Sequence, residues 1–315
     1  MACDNAIMSS MLRRDPTRFP VFQMPKTKPL LILLLALTRW VASGIAGVLL
    51  VTGAAQGAVV TVVSSGGFAG AFRVLAPQFE RATGNTVVTK WGPSMGNTSD
   101  AVPARIQRGE SIDVVIMVGA ALGDLIKAGK VIANSRVDLA RSGIGVAVRK
   151  GAPKPDISSA EALRGALMAA KSIAYSDSAS GVYVSTELFS RLGISDQVTG
   201  KSRMIPAEPV GSVVARGEAE IGFQQMSELK PISGIELVGM LPPELQKITI
   251  FSAGVVVGAK EPDTARALIA FLASPAAAAA ISESGMEPVV SLTPEPKRGA
   301  IRNRALTTEW LPAVR

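Results

Sequence analysis

The apolar residues of this chain follow two alternating patterns from Val59 onward. Short runs rich in valine and isoleucine are separated by longer segments in which apolar residues recur every three or four positions. The runs predicted as strands are residues 59–64, 86–90, 113–118, 144–148, 172–176, 203–205, 220–224 and 249–257. Strands that alternate with helices in this way predict an α/β fold with mainly parallel sheets.

The longest predicted helix covers residues 67–82. Phe68, Phe72 and Phe79 recur at helical spacing, and Gly84 follows the last apolar turn as a stop signal. Pro77 lies inside this segment and is expected to kink the helix. A capping box, Ser-Ser-Ala-Glu at residues 158–161, predicts the start of another helix.

A leader precedes the alternating region. Basic residues come before an apolar run at residues 30–37, a second apolar run covers residues 41–51, and small residues occupy positions −3 and −1 before a cut after Gly57. This order predicts a secretory signal peptide within residues 1–57 and a periplasmic location for the rest of the chain. Arg39 interrupts the apolar stretch, so neither half reaches the roughly 20 residues of a membrane span. A retained N-terminal anchor is the alternative.

The residue types that are missing exclude several classes of function. The chain has no histidine, and its single cysteine is Cys3 in the leader. Zinc sites of the usual type, Ser-His-Asp and Cys-His nucleophiles, iron–sulfur clusters and structural disulfides all need those residues. Half of the formal net charge of +8 belongs to the leader, and no basic run interleaved with aromatic residues follows it. A nucleic-acid partner is therefore not expected.

Three polar, glycine-containing loops each follow a predicted strand. They are residues 64–67 with Ser64, Ser65 and Gly67, residues 92–99 with Ser94 and Asn97, and residues 176–181 with Ser178 and Ser180. In open α/β folds, ligands bind beyond the carboxyl ends of strands, where helix N-termini present N–H groups to an anion. One such loop alone is more often a plain turn or helix cap. Three at equivalent junctions favour a shared site for a small anion. No loop has a nucleotide-binding pattern, so no cofactor is expected.

These loops and their flanks resemble the periplasmic molybdate-binding proteins, a family of ABC-transporter solute receptors. The similarity covers about residues 59–290. It is carried by Val-Thr-Val-Val-Ser-Ser at residues 60–65, Leu-Ala-Pro-Gln-Phe-Glu-Arg-Ala-Thr-Gly at 75–84, Ile-Gln-Arg-Gly at 106–109, Asp-Val-Val-Ile at 113–116, Ser-Gly-Val-Tyr at 180–183 and Pro-Ala-Glu at 206–208.

This resemblance implies a type II periplasmic binding protein, in which two α/β lobes joined by two crossovers clasp an anion. Lobe one is then residues 58–140 plus 251–290, lobe two is residues 141–250, and residues 291–315 form a tail. The family also implies a monomer that delivers its small anionic ligand to an inner-membrane ABC permease. The function expected on this basis is capture without chemical turnover.

The resemblance also assigns ligand contacts. The family's first-loop serine falls on Gly67, its second-loop serine on Ser94, its third-loop donor on Ser180, its fourth-loop backbone donor on Val210 and its tyrosine on Gln225. Two of these five positions depart from the family, and the second loop is longer. Such departures favour a larger or carboxylate-bearing anion over molybdate.

Aconitate isomerases are similar to the same receptors and provide the alternative function. Leu-Pro-Pro-Glu-Leu-Gln at residues 241–246 and Phe-Ser-Ala-Gly at 251–254 resemble the branch that does not bind molybdate. Isomerising a tricarboxylate needs a base beside the allylic carbon. Without histidine, Asp177 is the acidic residue in these loops that could serve, and a helix cap explains it better.

Overall fold

The computed structural model describes residues 57–289, with the exception of Asn97 and Ala207. The predicted signal peptide and the predicted tail lie outside the described residues. Within 57–289, no single helix is long and apolar enough to cross a membrane, and one pair of helices, bent by 61°, passes that test only when taken together. That pair is Pro262–Leu272 with Pro275–Glu283.

The described strands form two sheets. In chain order they are β1 (Val59–Ser64), β2 (Thr86–Trp91), β3 (Val114–Val118), β4 (Val137–Ser142), β5 (Ile144–Arg149), β6 (Ile173–Ser176), β7 (Ser202–Ile205), β8 (Ile221–Gln225), β9 (Ile235–Met240), β10 (Thr249–Val255) and β11 (Glu287–Pro288). The first sheet has the order β11-β4-β10-β3-β1-β2, and the second has the order β7-β6-β8-β5-β9.

Both sheets are mixed. β1 pairs in parallel with β2 and β3, whereas β10 runs antiparallel to β3 and β4 and β11 is antiparallel to β4. In the second sheet, β6 is parallel to β7 and β8, while β5 is antiparallel to β8 and β9. The sequence predicted mainly parallel sheets, but both sheets contain more antiparallel pairs than that. The reason is that β10 and β5 each lie between two strands that run in the opposite direction to their own.

The helices connect the strands and cover both sheets. They are α1 (Gly66–Thr83), α2 (Val102–Gln107), α3 (Gly119–Lys127), α4 (Ala160–Ala169), α5 (Ala179–Tyr183), α6 (Phe189–Arg191), α7 (Ser195–Thr199), α8 (Val210–Ala215), α9 (Met226–Leu229), α10 (Pro262–Leu272) and α11 (Ala278–Glu283). A π-helical turn, Val184–Leu188, joins α5 to α6, and short 3₁₀ turns occupy Ala133–Ser135, Pro243–Leu245 and Pro275–Ala277.

Helix α1 forms where its apolar stripe predicts it. Phe68, Phe72 and Phe79 are fully buried on one face, and Gly84 ends the helix in the left-handed conformation with φ of 73°. The helix continues through Pro77 for two more turns. At α4, the N-cap is Ser159, whose Oγ accepts a hydrogen bond from the N–H of Ala162 at 3.1 Å.

Each sheet has its own apolar core. One cluster packs α1, α10 and α11 against the first sheet, and a smaller one covers the opposite face of that sheet with residues of α3 such as Leu122. The second sheet packs against α4 to α7 on one face and against α8 on the other. Two sheets with separate cores are the structural basis for two lobes.

The chain crosses between the sheets at two places. β4 of the first sheet ends at Ser142, and β5 of the second begins at Ile144 after a single residue. The second crossing joins β9 to β10. Gln246 ties the two crossings together, since its Oε1 accepts from the N–H of Ile144 at 2.8 Å and its Nε2 donates to the Ile144 carbonyl at 3.1 Å.

Candidate functional site

A cleft of about 540 Å³ lies between loops that follow strands of both sheets. The first sheet contributes the loop before α1, the loop after β2 and Phe251 of β10. The second sheet contributes the loop after β6, the approach to α8 and the region around α9. A volume of this size suits a small organic molecule, because ligand sites usually occupy about 300–1,000 Å³.

The first loop is tied to the centre of its sheet. The N–H of Ser65 donates to the Ile116 carbonyl of β3 at 2.8 Å, and the buried Ser64 Oγ donates to the Ser65 carbonyl at 3.3 Å. Ser65 then serves as N-cap of α1 without using its own hydroxyl group for the cap. The loop therefore leaves the Ser65 hydroxyl and the first N–H groups of an 18-residue helix for the cleft.

Two glycines in this loop have close neighbours from other parts of the chain. A Cβ on Gly66 would lie 2.5 Å from Oε1 of Glu228, which belongs to the other lobe. A Cβ on Gly67 would overlap the ring of Phe251. The serine expected from the family cannot occupy position 67 here, because the aromatic ring fills the space that its side chain would need.

The serine of the second loop accepts a hydrogen bond from the backbone of the same lobe. Ser94 lines the cleft, but its Oγ accepts a hydrogen bond from the N–H of Val118 at 2.9 Å, which secures the end of β3. Arg105 holds the same loop, donating from Nε to the Asp100 carbonyl at 2.9 Å. Asn97, predicted as a ligand contact, lies outside the described residues.

The third loop contains a small network of hydroxyl groups. Ser176 Oγ lies 2.9 Å from Ser178 Oγ and 3.0 Å from Ser180 Oγ. Ser178 lines the cleft, whereas Ser180 lies behind it and is 1% exposed. Asp177, between them, also lines the cleft.

The fourth predicted contact, Val210, does not line the cleft. Its N–H donates to Oε1 of Gln224 at 2.9 Å, so this donor is used within the protein. The next residue, Gln225, does line the cleft and donates from Nε2 to Thr249 Oγ1 at 2.8 Å. Of the candidates from the sequence, the structure therefore brings together Ser65, Gly67, Ser94, Ser178 and Gln225, and places Ser64, Ser180 and Val210 behind the lining.

Several polar atoms of the lining are buried without a partner. Within the described chain, five buried side-chain atoms lack a hydrogen bond, and four of them belong to lining residues: Ser65 Oγ, Thr98 Oγ1, Gln225 Oε1 and Ser227 Oγ. Ser65, Gln225 and Ser227 are 4%, 2% and 2% exposed. Leaving a buried polar group unpaired costs about 1–3 kcal/mol, so their concentration in one cleft indicates a site built for the polar groups of a ligand.

The sequence analysis missed Thr98, Ser227 and Glu228 among the lining residues, and Glu228 is the acidic one of the three. It is half-buried in the first turn of α9, and desolvation by the surrounding atoms raises the pKa of its carboxyl group to about 7. A hydrogen bond from Gln224 opposes this increase in pKa, and the negative charge of Asp177 adds to it. An acidic residue just after a buried strand was the available signal, but the local sequence does not show what the carboxyl group meets in the fold.

The charges of the lining are unevenly distributed. Arg73 is the one cationic side chain among the described lining residues, and it lies at the exposed surface of α1 with its guanidinium 4.8 Å from the Trp91 ring centre. Four acidic residues line the same cleft: Asp100, Asp177, Glu208 and Glu228. An anion here would depend on neutral N–H and O–H donors more than on ion pairs. Across the described residues, no cluster of three potential metal ligands occurs.

A family model for bacterial extracellular solute-binding proteins matches residues 60–287. The chain belongs to this family. A curated relative, the aconitate isomerase of a Pseudomonas species, is 53% identical over 229 residues, which cover 73% of this chain and 87% of the relative. The molybdate-binding protein ModA of Azotobacter vinelandii is 27% identical over 241 residues, which cover 74% of this chain and 91% of that protein.

Solved structures of the same class share the fold. The periplasmic molybdate-binding protein of Azotobacter vinelandii superimposes with a TM-score of 0.58 at 24% identity, covering 72% of this chain and 98% of its own. This similarity and the two helix-covered sheets confirm the predicted two-lobed type II fold. The family resemblance drawn from the loops is confirmed as well. The isomerase relative agrees with the branch that does not bind molybdate.

Proposed function

We propose that this protein binds a small organic polycarboxylate in the cleft and isomerises it by moving a carbon–carbon double bond, with an aconitate-type tricarboxylate as substrate. The observation that carries the proposal is the group of buried, unpartnered polar atoms on the cleft walls, at Ser65, Thr98, Gln225 and Ser227. Hydroxyl groups can donate to carboxylates, and several separated donors suit a ligand with several carboxylate groups. The 53% identity to an aconitate isomerase supports the reaction.

The shape of the site supports an organic ligand over a compact oxyanion. A tetrahedral oxyanion would occupy only a small part of a 540 Å³ cleft. The family's first-loop serine is replaced by Gly67, against which Phe251 packs, and its tyrosine is replaced by Gln225. Both changes remove hydroxyl groups that would contact a small anion. Ser65, Gly67, Ser94, Ser178 and Gln225 are the predicted contacts that line this space.

The proposal includes export to the periplasm. The leader's order of basic, apolar and small residues supports cleavage after Gly57, and membership of an extracellular binding-protein family agrees with this location. Mass spectrometry of the periplasmic fraction is expected to find a chain that begins at Ala58. An intact N-terminus in the membrane fraction would contradict export with cleavage.

The second candidate function is capture without turnover, with delivery to an inner-membrane ABC permease. The family match favours it, together with two sheets joined by two crossings, a design that permits closure of one lobe on the other about a hinge. On this alternative, lobe one comprises residues 58–140 plus 251–290 and lobe two residues 141–250. The cleft would then hold its ligand by charge-assisted hydrogen bonds alone.

One experiment separates the two functions. Purified protein beginning at Ala58 is incubated with excess trans-aconitate, and the cis and trans isomers are followed by proton NMR, while calorimetry measures binding of trans-aconitate and of molybdate. Conversion of many substrate molecules per protein supports isomerisation. Binding of aconitate without conversion supports capture alone, and tight binding of molybdate with no aconitate binding contradicts both the reaction and the ligand class.

A further inference from the structure

We propose that Glu228 transfers the proton in this isomerisation, first as base and then as acid, and that Gln224 is its positioning residue. The inference rests on the proposed function, because it names the group that would perform that reaction in the same cleft. No lysine or arginine of the described chain forms an ion pair with the Glu228 carboxyl group. The fold therefore places a carboxyl group in the cleft without neutralising it by an ion pair.

The position of Glu228 brings its carboxyl group to the boundary between the lobes. The residue belongs to α9, directly after β8 of the second sheet, and its Oε1 reaches Gly66, the first residue of α1 on the first lobe. The first N–H groups of α1 lack intrahelical acceptors and favour negative charge. A substrate carboxylate held there would place the adjacent methylene carbon next to the Glu228 carboxyl group.

Gln224 fixes the direction of that carboxyl group. Its Oε1 accepts from the N–H of Val210 at 2.9 Å, so its amide nitrogen is turned the other way and donates to Glu228. A backbone N–H cannot act as acceptor, and the Gln224 side chain is 5% exposed, so the amide group has one orientation that satisfies both bonds. The Glu228 carboxylate is thus held by an uncharged donor, the Gln224 amide, which the backbone of Val210 orients.

The surroundings of Glu228 bring its pKa into the range in which it can both remove a proton and return it. Burial raises its pKa to about 7, so near neutral pH the carboxyl group is available both as base and as acid. The other charged side chains that line the cleft are Arg73, Asp100, Asp177 and Glu208. The negative charge of Asp177 increases the pKa of Glu228, which makes Asp177 a modifier of the proton carrier.

The reaction balances without a further reactant. The Glu228 carboxylate removes a proton from the methylene carbon of the substrate, and the electron pair of that C–H bond becomes a new double bond to the central carbon. The electron pair of the original double bond moves to the former vinyl carbon, which takes the proton back from Glu228. The double bond has shifted by one carbon, the carboxylate is restored, and nothing is oxidised or reduced. The geometry of the new double bond depends on how the methylene carboxylate was held.

The test compares wild-type protein with Glu228→Gln, which keeps the size of the side chain but cannot take up a proton. We expect kcat for aconitate isomerisation to fall by about 10²–10⁴-fold, and exchange of substrate hydrogen with D₂O to fall equally, while Kd for trans-aconitate changes by less than about fivefold. Glu283→Gln, on the exposed surface of α11, is the matched control and keeps wild-type kcat. Retained binding shows that the Glu228→Gln variant is folded.

Gln224→Leu and Asp177→Asn test the roles of the two neighbours through the pH profile of kcat/KM. Loss of the Gln224 donor is expected to move the acidic limb to higher pH, and loss of the Asp177 charge is expected to move it to lower pH. Isomerisation at the wild-type rate by Glu228→Gln would overturn the assignment of Glu228. So would a result in which Asp177→Asn, and not Glu228→Gln, abolishes isomerisation. Wild-type protein that binds aconitate without converting it would instead contradict the proposed function itself.

Discussion

The two walls of the cleft differ in the kind of chemistry they offer. The wall from the first lobe presents the N-terminus of the 18-residue helix α1, the hydroxyl of Ser65, the cation of Arg73 and one acidic side chain, Asp100. The wall from the second lobe presents Asp177, Glu208 and Glu228, together with the unpartnered polar atoms of Gln225 and Ser227. One wall is suited to holding negative charge, and the other to handling a proton.

This difference indicates how a polycarboxylate would be oriented. Its carboxylate groups are stabilised best against the first lobe, where the N-terminus of α1 and the Ser65 hydroxyl group supply donors. Its carbon skeleton then faces the acidic wall, where a carboxylate ligand would be repelled but a C–H bond would not. The arrangement separates binding from chemistry across the line where the two lobes meet.

The strongest expected effect on ligand affinity concerns the unpartnered hydroxyl groups. Ser65→Ala and Ser227→Ala each remove a buried donor that the protein itself does not use. Loss of one donor to a bound carboxylate costs roughly 1.5–3 kcal/mol, or about ten- to hundredfold in affinity for trans-aconitate. Calorimetric titration measures this effect. If only Ser65→Ala weakens binding, the carboxylate groups contact the first lobe alone; if neither does, these hydroxyl groups are not part of the site.

The second prediction concerns the acidic wall and the pH dependence of stability. Because the pKa of Glu228 is raised to about 7 in the folded protein, its protonated form stabilises the fold fully below about pH 4.5, and this contribution is lost as the pH rises through 7. We expect a loss of roughly 1–2 kcal/mol, reduced from the full linkage value because the residue is half-buried. Urea unfolding of wild-type protein and Glu228→Gln from pH 5 to 8 measures it; parallel curves for the two proteins would contradict the raised pKa.

The third prediction separates Ser94 from the unpartnered serines. Its hydroxyl group accepts from the N–H of Val118, so Ser94→Ala is expected to lower the free energy of unfolding by about 1 kcal/mol. The affinity for aconitate should stay within about threefold of wild type. Thermal melts and ligand titration on the same variant distinguish a structural from a binding role, and a large loss of affinity at unchanged stability would place Ser94 among the ligand contacts.

The smallest effect is expected at Arg73. This side chain is exposed and packs over Trp91, so solvent and salt screen its charge. Arg73→Ala should weaken aconitate binding less than about fivefold at 0.1 M salt, and the difference should disappear at 1 M salt. A loss comparable to that of Ser65→Ala would show that an ion pair, and not neutral donors, holds the ligand on the first lobe.

Much of the fold could be predicted from local patterns. The stripe of Phe68, Phe72 and Phe79 formed a helix, Gly84 ended it, and the runs of valine and isoleucine formed strands. The strands that the pattern missed were β4, β9 and β11. Asp138 and Arg141 break the apolar run in β4, β9 is a half-buried edge strand, and β11 has two residues. These missed strands are antiparallel to their neighbours, which explains why parallel pairing was overestimated.

The sequence by itself determined the class of fold, the family and the three loops that meet near the cleft, because these depend on residue periodicity and on short motifs. The tertiary structure decided which serines remain unpartnered, since Ser94 and Ser65 look alike until Val118 supplies a partner to one of them. It also decided the role of Glu228. Its raised pKa arises from desolvation by burial, and its Oε1 lies beside Gly66, far away in the chain; only folding brings these groups together.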